Sequence, residues 1–454
     1  MTPPSPAQSW ADHFRAILTL GLPLVGGSLA QFAIHLTDSL MLGWYDARAL
    51  AAVTLANSLH FIVFIVGAGL AYAVTPLVAA AEERGDTTEA RRATRMALWL
   101  VTLYGLAAAP LYLFSEALFS AIGQTPDMAA KAQIYLRLAW FTLIPSLAVA
   151  VLRSYLSAVE LTGIILRSTI GAALANVAFN RVLIFGAFGV PSFGIAGAAT
   201  ASIITVALSL AWLIAYIQRR LPEQELFRRL WVRDADAAAR VFALGAPIGL
   251  TSLAEGGLFS ASSFMVGWIG EIPLAAHGVA LQLASLFFMA HLGLSQATTV
   301  RAGRALGRGD GPGLRRGGLA AIAVSLLVVT MTVLIFLTLP RTLTGLFIDP
   351  SDPARPQIMQ LGVQLLAVAA LFQLVDAMQI MMLGLLRGVQ DTRVPMILAA
   401  LSYWGLGLSS SYALAFWADL GAVGVWLGLC VGLGTAAVMM STRFWTRWGR
   451  WHGA

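Results

Sequence analysis

The chain has 454 residues, of which 58% are hydrophobic and 11% charged, and its mean hydropathy is +0.78. Soluble domains carry about 25% charged residues, so this composition excludes an ordinary soluble fold and points to a polytopic membrane protein. The net charge of +7 would suit a nucleic-acid partner, but the excess is arginine in short loops between apolar segments. There is no basic stripe with interleaved aromatics and no groove-reading motif, so nucleic acid is excluded. The lone cysteine, Cys430, rules out an intrachain disulfide and a cysteine-based metal site.

The N-terminal stretch to Arg15 lacks the basic, apolar, small-residue layout of a cleavable signal peptide. The first apolar segment is therefore expected to direct insertion. A helix needs about 20 apolar residues to cross the hydrocarbon core. Twelve segments qualify, near 14–43, 49–80, 95–122, 131–153, 166–187, 195–218, 240–270, 273–303, 315–346, 357–386, 394–417 and 421–443. They are long and continuously apolar without period-2 alternation, which predicts helices rather than barrel strands.

The first segment carries Pro23, Gln31 and Asp38, and the fifth carries Asn176 and Asn180. The seventh carries Pro247, Glu255, Phe259, Ser262 and Ser263, and the tenth Gln373, Asp376 and Gln379. Asp38, Glu255 and Asp376 are isolated acids in apolar surroundings. Each costs about 2.5–3.5 kcal/mol to insert at bilayer depth, so their retention marks an ion or substrate path. Pro23 and Pro247 are expected to kink their helices. His35, His60, His277 and His291 have no metal-site spacing and are read as structural hydrogen-bonding groups.

Arginine alternates between loops. It is dense after the second, fourth, sixth, eighth, tenth and twelfth segments and sparse in most of the others. The positive-inside rule then puts both termini in the cytoplasm.

An internal repeat runs at an offset of 224 residues, with 24 of 67 ungapped positions identical between 20–86 and 244–310. Leu20-Gly21-Leu22-Pro23 returns as Leu244-Gly245-Ala246-Pro247, and Arg84-Gly85-Asp86 returns as Arg308-Gly309-Asp310. Six helices per half is an even number, so the halves are parallel repeats, with lobes at 1–225 and 226–454. Asp38 aligns with Ser262, and Glu255 with Gln31. The two positions are seven residues apart, two helical turns, and share one face. A polar-lined interior is expected in each lobe.

Several segments, in order, resemble the MATE (multidrug and toxic compound extrusion) family. They include Gly21-Leu22-Pro23, Thr37-Asp38-Ser39, Met41-Leu42-Gly43 and Ala275-Ala276-His277. Val375-Asp376-Ala377-Met378-Gln379, Leu386-Arg387-Gly388 and Ser402-Tyr403-Trp404 follow. The resemblance covers nearly the whole chain and is greatest to the NorM branch. It implies an all-α integral membrane fold of the MOP superfamily, with twelve transmembrane helices in two pseudo-symmetric six-helix bundles. It also implies that Glu255 and Asp376 are cation-site acids and that Asp38, Asn176 and Asn180 form the N-lobe polar cluster. Phe372 departs from the pattern, standing where NorM-type sequences carry a tyrosine.

The chemistry fits these roles. Sodium, a hard cation, takes several oxygen ligands. Glu255 and Asp376 offer carboxylates, Gln373 and Gln379 amide oxygens, and Ser262 a hydroxyl, while the Phe259 ring can face a cation. Asp38, flanked by Asn176 and Asn180, suits proton exchange. The implied function is a secondary multidrug antiporter, not an enzyme, exporting lipophilic, mostly cationic drugs and dyes in exchange for Na+ or H+. The expected setting is the bacterial cytoplasmic membrane, with a monomer, no cofactor and the lipid bilayer as partner. The alternative is a lipid-linked oligosaccharide flippase of the same superfamily, which would favour a cationic interior. No GxSxG, HExxH or nucleotide motif argues for an intramembrane enzyme or an ATPase.

Overall fold

The computed structural model describes residues 9–187 and 189–449. Most of the N-terminal stretch read above for targeting, and Arg450 of the tail, lie outside the described residues. Among the described residues, twelve helices are long and apolar enough to cross a membrane. They are α1 (Trp10–Tyr45), α2 (Leu50–Glu83), α3 (Thr87–Leu113), α4 (Pro126–Ala158), α5 (Thr162–Phe185) and α6 (Gly194–Arg220). The second six are α7 (Ala235–Ile269), α8 (Glu271–Arg308), α9 (Gly311–Thr338), α10 (Arg355–Gly388), α11 (Arg393–Trp417) and α12 (Gly421–Arg447).

Several helices run past the apolar stretches that predict them, because local capping sets their ends. The repeated Arg-Gly-Asp triplet shows how. Gly85 and Gly309 take left-handed φ of 70° and 68°. In both triplets the aspartate N–H reaches five residues back, to Ala81 O at 3.0 Å and Ala305 O at 2.9 Å. The glycine N–H reaches three back, to Glu82 O and Leu306 O. This paired closure satisfies the orphan carbonyls of α2 and α8. The Asp86 and Asp310 side chains then accept from Glu89 N and Gly313 N, both at 2.8 Å, and cap α3 and α9. That is why α3 begins at Thr87 and not near 95. The same closure recurs after α4 and α10, around Glu160 and Gln390.

Prolines act where the physics of a missing N–H requires. Pro76 cannot donate to Tyr72, and the helical hydrogen-bonding breaks at Ala73 within α2. Pro110 follows a break at Ala108 within α3, and α9 ends before Pro340. Pro23 and Pro247 are accommodated inside α1 and α7. In α11, Leu401–Gly407 and Ala413–Trp417 widen into π turns, which the sequence reading did not anticipate.

The chain forms two compact units. One holds Gly26–Gly249, and the other joins Met1–Val25 to Leu250–Ala454. These divisions fall inside α1 and α7, just past Pro23 and Pro247, not in the polar connection near residue 225. Glycine explains the grouping. A Cβ on Gly69 of α2 would lie 2.3 Å from the backbone nitrogen of Gly249 of α7. A Cβ on Gly293 of α8 would lie 2.5 Å from that of Val25 of α1. Gly69 and Gly293 are repeat partners, as are Gly249 and Val25. Small residues let backbones approach closely where lipid gives no hydrophobic drive between helices. The opening turns of α7 thus pack in the first unit, and those of α1 in the second.

The polar connection from Gln218 to Asp234 is fastened onto α3. Arg95 donates to the Leu226 carbonyl at 2.8 Å and the Glu225 carbonyl at 2.6 Å, and Trp99 Nε1 donates to Leu230 O at 2.6 Å. Arg92 pairs with Asp234. Asp234 also caps α7 by accepting from Ala237 N at 3.0 Å.

Candidate functional site: isolated carboxylates in each unit

In the first unit, α1 and α5 bring Asp38, Asn176 and Asn180 together. Asn180 Nδ2 donates to Asp38 Oδ1 at 2.5 Å and stands 3.1 Å from Asn176 Oδ1, which also accepts. The asparagines lie one turn apart and are both buried. Asn180 Oδ1 is buried without a donor. Asp38 opens onto a small cavity also lined by Thr54, Asn57, Tyr135 and Ser202. Sequence reasoning missed these four. Their one signal was a polar side chain in an apolar segment, which alone does not distinguish lining from packing.

Gln31, the repeat partner of Glu255, accepts from Arg153 Nη1 at 3.4 Å. The position that carries an acid on α7 thus carries a neutral amide beside a guanidinium on α1.

In the second unit, α7 carries Glu255, half-buried, and α10 carries Asp376, buried. Gln373, Asp376 and Gln379 form a stripe on α10. Each has a buried side-chain oxygen that receives no hydrogen bond: Gln373 Oε1, Asp376 Oδ1 and Gln379 Oε1. The glutamine nitrogens are engaged. Gln373 Nε2 donates to Ala284 O of α8 at 2.8 Å, and Gln379 Nε2 donates to the Tyr403 hydroxyl of α11. The glutamines are therefore held by neighbouring helices through their nitrogens, with their acceptors left over. Unsatisfied buried oxygens are costly, and a run of acceptors without donors suits a positive guest.

The other expected contributors sit differently. Ser262 donates to its own helix at Phe259 O, 2.7 Å, so its proton is committed locally. Ser263, not Ser262, reaches across to His277 Nε2 at 3.0 Å. Phe259 packs edge-on against Phe372 with centroids 5.9 Å apart, and Phe372 continues to Trp426 at 5.4 Å. Trp426 Nε1 donates to His277 Nδ1 at 3.0 Å. His277 is thus a fully hydrogen-bonded core histidine. His60 against Tyr112, at 2.9 Å, and His291 against Ser325, at 3.0 Å, are bonded too. Among the described residues no three His, Cys, Asp or Glu side chains gather as a metal site.

Twelve membrane-crossing helices, a twofold internal repeat and acids isolated within each unit define a polytopic membrane transporter. The MatE family model matches residues 23–182 and 247–413. The chain belongs to the MatE (MATE) family of membrane transporters, and within it resembles the NorM branch. It is 44% identical to the probable multidrug resistance protein NorM of Agrobacterium fabrum, over 98% of this chain and 96% of that protein. It is 33% identical to that of Synechocystis sp., over 95% and 94%. The eukaryotic MATE transporter AtDTX14 shares the fold at a TM-score of 0.87 and 18% identity, over 98% of both chains. A MATE crystallised in complex with MaL6 does so at 0.88 and 19%, over 96% of both.

Proposed function

We propose that this chain is a secondary multidrug antiporter of a bacterial cytoplasmic membrane. It exports lipophilic, mostly cationic compounds and takes up Na+ in exchange, with both termini in the cytoplasm. The names of its relatives support drug export, and the arginine-rich loops support the orientation. The observation that carries the coupling is the α10 stripe, where Asp376 lies between two glutamines whose oxygens lack donors, with Glu255 supplied by α7 of the same unit.

A proton on Asp376 would satisfy one acceptor. A sodium ion satisfies several at once, as hard cations do with oxygen ligands. This favours Na+, and H+ is the alternative to be distinguished by experiment. In the first unit, Asp38 with Asn176 and Asn180 supplies a negative, hydrogen-bonding wall for a cationic drug. A cation bound in one lobe and a drug in the other drive exchange only if each prefers a different state of the carrier. The direct test is binding of radioactive sodium to the purified protein. Wild type should bind saturably, and Glu255→Gln and Asp376→Asn should not. Equal binding by all three would refute the site.

A further inference from the structure

Two consecutive residues of α11 grip the two helices that carry the coupling acids. We propose that Tyr403 and Trp404, presented by the π turn at Leu401–Gly407, form a bracket that sets the geometry of the Glu255–Asp376 pair. They thereby fix the transporter's apparent affinity for its coupling cation. This proposal rests on the coupling site described above.

Three observations converge. Tyr403 is completely buried, and its hydroxyl accepts from Gln379 Nε2, one turn past Asp376 on α10. Trp404 Nε1 donates to the carbonyl of Ala254 at 3.0 Å, the residue immediately before Glu255 on α7. Its ring also lies against Gly257, where a Cβ would come within 2.7 Å of the indole. Adjacent residues therefore reach opposite acid-bearing helices. π turns are rare and collect at functional sites. Here the turn is not forced by proline, since none lies between 401 and 407.

The consequence is chemical as well as spatial. The Tyr403 hydroxyl is the hydrogen-bond partner that anchors the Gln379 side chain, one turn past Asp376 on α10. Remove the phenol oxygen and that stretch of the polar stripe loses its tie to α11. Both residues are positioning residues, since neither needs to touch the ion.

The test is cation-driven drug efflux in proteoliposomes, with sodium and proton gradients imposed separately. The readout is the half-saturating concentration of whichever cation drives transport. Tyr403→Phe and Trp404→Phe keep the rings and lose one hydrogen bond each. Each should raise half-saturation about five- to tenfold, the scale of one lost hydrogen bond. The maximal rate should change far less. Unchanged half-saturation in both variants, with only the rate or the yield of folded protein reduced, would overturn the bracket. Glu255→Gln, run alongside, separates the two levels of the claim. If it keeps full cation-driven efflux, the coupling site itself is wrong, and the bracket falls with it.

Discussion

Asn180 of α5 holds Asp38 of α1 through an Nδ2–Oδ1 hydrogen bond of 2.5 Å while standing within 3.1 Å of Asn176. One amide thus joins two helices at the acid that lines the first unit's cavity. Asp38→Asn replaces the carboxylate with a neutral group of the same size. It should fold, because a neutral amide costs less at bilayer depth than a charge, and should bind ethidium at least tenfold more weakly, since each tenfold is about 1.4 kcal/mol. Fluorescence titration of the purified proteins checks this, and equal affinity would leave Asp38 a structural charge.

Asn180→Ala separates placement from charge. It leaves Asp38 in position 38 but removes its donor. Drug affinity should fall by about three- to tenfold, less than for Asp38→Asn, the scale of one ordinary hydrogen bond. A loss as large as that of Asp38→Asn would mean that Asn180 itself contacts the drug.

The glycine contacts predict a paired effect on stability. Gly69→Ala and Gly293→Ala each place a methyl within 2.5 Å of a backbone nitrogen on a neighbouring helix. Overpacking of this kind costs about 1–3 kcal/mol. Both should lower the melting temperature in detergent, and by similar amounts, because the positions are repeat partners. Alanine at Gly278, where nothing lies within 4 Å, is the control and should change it little.

The connection between the halves has its own pH signature. The Arg92 hydrogen bond, aided by the Ala237 amide, pulls Asp234 down to about 2. A carboxylate depressed in the folded state contributes stability above its unfolded pKa and loses it as pH falls through the folded value. The clamp on α3 should hold unchanged from neutral pH to roughly pH 4 and weaken only toward about pH 2. Hydrogen exchange at the Ala237 amide reads this directly. Arg92→Ala should raise that exchange already at neutral pH.

The helices and the repeat were legible in the sequence because both depend on local pattern. Apolar length gives a crossing helix, and Arg84-Gly85-Asp86 with its copy at 308–310 encodes a helix end and the next helix start. The acids were legible because a carboxylate in an apolar run is costly. Their surroundings were not. Tyr403 and Trp404 meet Gln379 and Ala254, and Asn57 and Tyr135 line the Asp38 cavity, through packing between distant segments, and the π turn of α11 carries no proline or glycine signature at its start. The roles of Gly69 and Gly293 were hidden for a related reason. A glycine in an apolar helix does not reveal which backbone it admits.

The central claim is that a cation gradient acting through Glu255 and Asp376 drives drug export. Ethidium efflux from proteoliposomes, with a sodium gradient and a proton gradient imposed one at a time, tests it most directly. The sodium gradient should drive efflux in wild type, and Glu255→Gln and Asp376→Asn should abolish it while the proteins remain folded. Efflux driven by neither gradient in wild type, or undiminished in both variants, would contradict it.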